Sequence, residues 1–474
     1  MNTQRSTLLV KMVLTFLLAW QLQVNALAQP YAAAMQDARE AIALNQPELA
    51  AAALQTALEF APNQPATWFQ LASIYKETGD LQSAISAFEN AGSLDSLNPD
   101  KKSELASLYI LAGDTEAAYT ILAALVQDPQ PDASVYSSLV TLEKHNGELE
   151  QAKETLLKWT LDYPADASAL YQLGVLSCMD DPGLALTSLA RAAEADPQYQ
   201  YAYDTVKPAL SARDSGQPAY NLVLLGRALG MLNEWAMAAL AFQAAAELEP
   251  EYPEALAFLS EALYQTGQDG STQIEMALKI NPDSIVANAI HAVQQRRLGN
   301  LEIALFSLYR AAALEPEQGI WQLEIASTLI EMDAVAEAFP HLKAAVLLEP
   351  QNIQFWKALS DYSASTGIHL RDEGLPAARK VMLLAPDDPD SFDTMGRSLA
   401  ALGDLENAIR YYQAAIARDP SHASAHLHLA QVYLNQGRSQ LALEHLSLAQ
   451  SYAIQDPQTM QTATRLMERY FAGP

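Results

Sequence analysis

Three groupings in this sequence have the residue types that chemistry needs. Ser73-Ile74-Tyr75-Lys76 has the S-x-x-K spacing in which a basic group activates a serine hydroxyl. His422, His426 and His428 fall in SHASAHLHLA, and the 422/426 spacing would set two imidazoles on one helical face, as a metal site requires. Asp387-Asp388 places two carboxylates side by side, the minimum for acid–base work. Whether any of them can act depends on the elements that carry them. No Walker loop, strand-associated G-x-G-x-x-G, G-x-S-x-G or H-E-x-x-H accompanies them.

Composition narrows the field. The chain has 474 residues, 28 Lys and Arg against 56 Asp and Glu, a net charge of −28 and one cysteine, Cys178. Such an acid excess would repel phosphates, which excludes nucleic acid as a partner. A single Cys provides neither an intramolecular disulfide nor a cysteine-based zinc site. Residues 1–28 hold Arg5 and Lys11 and no acid, then an apolar run from Met12 to Trp20, then Ala26-Leu27-Ala28 before Gln29-Pro30. A positive head, a short apolar centre and a small-x-small end predict a secretory signal peptide cleaved near Ala28. The mature chain would carry −30. It would be extracytoplasmic (periplasmic, cell-surface or secreted) and without an integral membrane segment, since no apolar run reaches the length of a span.

From residue 31 onward the sequence is periodic. Pro250, Pro282, Pro316, Pro350, Pro386 and Pro420 follow one another at 32 to 36 residues and close similar phrases such as AAAELEP, YRAAALEP and LKAAVLLEP. Repeats begin at 31, 65, 99, 133, 167, 219, 253, 285, 319, 353, 389 and 423. Position 8 is small in most copies (Ala38, Ala72, Ala106, Gly174, Gly226, Gly396), as is position 20 (Ala50, Ala84, Ala118, Ala152, Ala408), which lets two helices approach closely. Bulk at positions 4, 7, 11 and 24, as in Trp68, Leu71, Tyr75 and Phe88, fills the rest. Position 15 is Gly in eight copies and Asn45 or Asn233 in two more, the left-handed residue that ends a first helix. Proline near position 32 ends a second. Each unit therefore reads as helix–turn–helix.

These residues resemble the tetratricopeptide repeat family, whose W-x2-L-G-x2-Y…A-x3-F…A-x4-P pattern is met at 392–420 by Phe392, Met395, Gly396, Ala408, Tyr412, Ala415 and Pro420. The second copy supplies Trp68, Leu71, Ala72, Tyr75, Ala84, Phe88 and Ala91. The resemblance implies an all-α, right-handed superhelical solenoid of about twelve repeats. Five repeats would occupy 31–199, an extra helix kinked or stopped at Pro208 and a linker 200–218, seven repeats 219–456, and a capping helix 457–474. The turn is one residue short in the repeat at 167, two short at 253 and two long at 353.

In that family, positions 2, 5, 9, 12 and 13 of the first helix line a concave groove that holds partners. Here those positions carry eight cations and eight acids. Their apolar residues gather mid-chain, at Tyr171, Val175, Cys178 and Met179, then Tyr220, Val223 and Met231. Either a partner segment or the extra helix would cover them. The expected partner-binding residues are Tyr171, Val175, Met179, Val223, Arg227, Arg296, Arg297, Lys357 and Arg397. The carboxylate-gripping set of some family members is missing, because Met35 and Arg39 stand where the first of its helices would need Lys and Asn.

Placed on these elements, the opening groupings lose their chemistry. Tyr75 is a core position, His426 points inward, and Asp387-Asp388 lies in an inter-repeat turn where acids cap the next helix. The chain thus reads as no enzyme, with no catalytic residue, cofactor or metal. Its expected function is an exported scaffold that binds a protein or peptide in the groove. The alternative is a polysaccharide-binding or export-associated envelope solenoid.

Overall fold

A computed structural model describes residues 29–212 and 216–471. The expected signal peptide and its Ala28 boundary, residues 213–215 of the linker and the last three residues lie outside them. The described residues are helical, without a strand among them, and the chain divides into two compact units, one ending at Ser211 and the other beginning at Ala212.

The first unit contains five helix pairs: 29–43 with Pro47–Phe60, Pro65–Glu77 with Leu81–Ala91, Pro99–Ala112 with Thr115–Leu125, Ala133–His145 with Leu149–Asp162, and Ala167–Ser177 with Pro182–Ala195. One more helix, Gln200–Ser211, packs on Pro182–Ala195. It runs on through Pro208, where the sequence predicts a kink or a stop. Proline so close to the C-terminal end disturbs little of the hydrogen-bond ladder that it would break in mid-helix.

The second unit holds seven pairs. They begin with Pro218–Met231 and Trp235–Leu248, continue through Pro253–Gln265 with Ser271–Ile280, Ile285–Arg297 with Leu301–Leu314, Gly319–Glu331 with Val335–Leu348 and Ile353–Thr366 with Leu375–Leu384, and end with Pro389–Ala401 and Leu405–Arg418, then Ala423–Asn435 and Ser439–Tyr452. Pro457–Phe471 closes the unit, burying Ala463 against Leu446 and Ala449. Phe471 packs there too, whereas Tyr470 stays exposed.

Local chemistry explains the boundaries. Asp80, Asp114, Asp404 and Asn98 each accept a backbone N–H three residues on, satisfying donors that a helix start leaves orphaned. Asp388 accepts from the Asp390 amide, the capping role expected of that acidic pair. The turn residues adopt positive φ as predicted, from 71 to 83° at glycines such as Gly79 and Gly403, and 54 and 63° at Asn45 and Asn233. Asp333 takes the same conformation in the repeat at 319.

The small positions allow the contacts anticipated. A Cβ on Gly226 or Gly396 would stand 2.5 Å from the ring of Phe242 or Tyr412. Repeat 2 combines Ala72 with Phe88 instead, whose ring is tilted against Phe69 at 5.1 Å. The two extra residues of the repeat at 353 are taken up by one π-helical turn, Leu370–Gly374, entered through His369 at φ 50°. Gly374 is held there because a Cβ would meet that of Ser363 at 2.4 Å.

Candidate functional site

First helices of successive repeats lie side by side, so their outward residues can meet across repeats. In the second unit they do. Arg296 binds Glu324 at 2.7 Å and also Glu331, both on the next first helix. Arg297 reaches the other way, 2.8 Å to Glu261, and its guanidinium lies 4.7 Å from the centre of the Tyr264 ring. A depression of about 270 Å³ opens among Val293, Arg296, Arg297 and Glu331. Two repeats earlier, Arg227 is exposed and sits over Phe258 at 5.6 Å.

A second run of pairs ties the repeats at 353, 389 and 423. Lys357 binds Asp390 at 2.7 Å, Arg397 binds Asp361 at 2.7 Å, and His428 donates through Nδ1 to Asp393 at 2.8 Å. Asp393 is buried, and that burial opposes its charge, but His428 and Arg397 hold its carboxyl below the usual range. Burial raises Asp361 against the pull of Arg397 and Lys357. Lys357 is raised: burial opposes its charge, and Asp390 overcomes it. Asp390 is held well below its ordinary value, first by the hydrogen bond from His422 and then by Lys357.

The histidines do structural work. His422 caps its helix, accepting the Ala425 amide on Nδ1 while Nε2 donates to Asp390. Burial opposes its charge, Asp390 and Asp393 favour the imidazolium, and the Ala425 amide needs the lone pair that protonation would remove. His426 is buried, donating from Nε2 to the Pro420 carbonyl and accepting from His445 on Nδ1. No group of three metal-ligating side chains occurs among the described residues. Ser73 and Lys76 are both exposed on Pro65–Glu77.

The mid-chain apolar residues belong to two units, and each set is described by itself. In the first, Val175 and Cys178 are buried, Tyr171 and Met179 are half-buried, and Tyr171 stacks on Tyr199 at 4.9 Å, just before the extra helix. In the second, Val223 is buried while Tyr220 and Met231 are exposed. Val175 and Val223 therefore pack helices and offer no docking surface. A wheel drawn for one helix counts them as outward because it omits the neighbouring repeat.

Sequence reasoning found Arg227, Arg296, Arg297, Lys357 and Arg397 but missed Glu324, His422 and His428, which stand outside the five groove positions. Charge complementarity at one repeat's distance would have found most of the set, since the partners lie 28 to 36 residues apart.

Sequence comparisons meet this geometry. Profiles described as tetratricopeptide repeat match residues 36–99, 76–142 and 394–458. The chain is a tetratricopeptide repeat protein. It is similar to the peroxisomal targeting signal receptor of Eremothecium gossypii, 28% identical over 265 residues that cover 53% of this chain and 43% of the receptor. The chain spans less than half the length of the curated relatives it matches. Among solved structures it resembles the APC/C Cut9–Hcn1 hetero-tetramer (TM-score 0.41, 14% identity, 94% of this chain and 98% of that one). It also resembles yeast Tom70 (TM-score 0.39, 16% identity, 93% and 97%). As a tetratricopeptide repeat protein it has no described helix long and apolar enough to cross a membrane.

Proposed function

We propose that this protein is an exported interaction scaffold that holds a partner protein segment along the first helices of its repeats. The observation that carries the reading is the cross-repeat strip from Glu261 to His428, where charged and aromatic side chains line successive first helices. Its partly exposed pairs can be exchanged for those of a partner at little net cost, because such pairs are individually weak, while the buried Asp393–His428 pair stays in place. Contacts are assigned to Arg227, Arg296, Arg297, Lys357 and Arg397, with Tyr171 and Met179 in the first unit. A relative named as a receptor for a targeting signal is in keeping with capture of a peptide segment. No enzymatic step, cofactor or metal enters this reading.

Export rests on residues 1–28, and N-terminal sequencing of the mature protein would find Gln29 first. Photocrosslinking from position 297 in the native envelope tests the scaffold. A discrete protein adduct, lost when Arg296 and Lys357 are both changed to Glu, supports it. Adducts to glycan alone would favour the polysaccharide reading.

A further inference from the structure

Away from the ion-pair strip, the first unit carries a cavity of about 450 Å³ where Pro47–Phe60 and Leu81–Ala91 part above Pro65–Glu77. Leu58, Leu71 and Ala87 form its buried floor, and Trp68 and Tyr75 are half-buried in its wall. Gln55, Glu59, Gln82, Ser83, Ser86 and Asn90 complete the lining, without a lysine or arginine.

The tryptophan differs from two others that make a similar bond. Trp68 donates its indole N–H to the Pro62 carbonyl at 2.8 Å, six residues back. Trp356 donates likewise to Pro350, and Trp321 to Glu315, also six residues back. The latter two rings pack on the apolar cluster around Leu342 and Leu359. Trp68 instead borders open space, with Ser83 and Ser86 of Leu81–Ala91 across from it.

The remaining hydrogen-bonding groups define the ligand. The Gln55 amide is spent on Tyr75 Oη, and Asn90 Nδ2 on the Ser86 carbonyl, which leaves Asn90 Oδ1 as an acceptor. With the Glu59 carboxylate, the Gln82 amide and the Ser83 and Ser86 hydroxyls, the rim offers donors and acceptors at several heights above an aromatic wall. An anion would meet Glu59 and no cation. A purely apolar ligand would use none of these polar groups. A neutral sugar presents C–H faces to rings and hydroxyl edges to amides and a carboxylate, and the volume lies in the range of small-molecule sites.

We propose that this cavity is a binding site for a neutral saccharide, independent of the partner strip. The full chain would be titrated calorimetrically with maltose, cellobiose and N,N′-diacetylchitobiose, with decaproline as the peptide probe that two aromatic rings could also attract. At least one saccharide should bind saturably and decaproline should not. Ser86→Phe, which fills the cavity with the residue that the repeat at 285 has there, should weaken binding at least about tenfold with an unchanged circular dichroism spectrum. Asn90→Ala, at the exposed rim, should weaken it less, and Trp321→Phe should leave it unaltered. The proposal is overturned if none of the three saccharides binds, if Ser86→Phe binds as tightly as the native chain, or if decaproline binds and Ser86→Phe abolishes that binding.

Discussion

Both units place cations on the outward face of their first helices. Among the described residues, most of those in the second unit are tied to acids of an adjacent repeat, and those in the first are not. In the first, Arg39, Lys76 and Lys144 have no carboxylate within ion-pair distance among the described residues, and Arg39 and Lys76 are exposed. In the second, Arg296, Arg297, Lys357 and Arg397 are each bound to an acid of an adjacent repeat. What separates them is not the residue but its counterpart one repeat away. A lysine on a solenoid is a surface charge or a tie between repeats according to what stands about 34 positions along the chain.

Substitutions can break this contrast, and the largest effect should come from Asp393. Replacing this buried carboxylate by Ala leaves His428 and Arg397 without it, at a cost of about 3 kcal/mol. Amide hydrogen exchange should quicken across Pro389–Ala401 and Ala423–Asn435 and nowhere in the first unit. Lys76→Ala should change nothing measurable, and a comparable loss from both would erase the distinction between the units.

Glu143 provides the next test, because it is the first unit's own buried charge. It accepts a bond from Thr155 while its other oxygen has no partner, and burial pushes it up to about 7. A raised carboxyl gives stability that is complete below the unfolded value near 4.5 and is lost as pH rises through about 7. Glu143→Gln should therefore stabilise the first unit above pH 7, by about 3 kcal/mol at most, and flatten its pH profile. Unchanged melting at pH 8 would show that the carboxylate is solvated.

Smaller effects sharpen the picture. Gly396→Ala drives a methyl into the Tyr412 ring and should cost about 1 kcal/mol by denaturant melting. Ala72→Gly, opposite the tilted Phe88, relieves no such clash and should gain nothing. Glu261→Gln, which weakens the pair with Arg297, should cost less than about 1 kcal/mol, and raised salt should erase the difference.

Most of the fold was legible because its signals are local. Glycine or asparagine at a turn, proline after a second helix and a small residue opposite an aromatic one each act within a repeat. Gly226 against Phe242 needs only the spacing of two residues in one pair. The ion-pair strip was half legible for the converse reason. Arg296 is visible as a cation, but its acids, the burial of Val223 and the bond from His422 to Asp390 depend on a neighbouring helix. A stop at Pro208 is not seen, because the helix continues to Ser211.

The single thiol is the feature with the least expected use. From sequence, Cys178 sits in the groove like a convenient attachment point, yet it is wholly buried, its Sγ 3.3 Å from the Gly174 carbonyl. A thiol reagent in water can reach it only while the fifth repeat is open, so the rate of modification is a clock for that opening. One unmutated atom would thus time the breathing of the first unit without a label anywhere else in the chain.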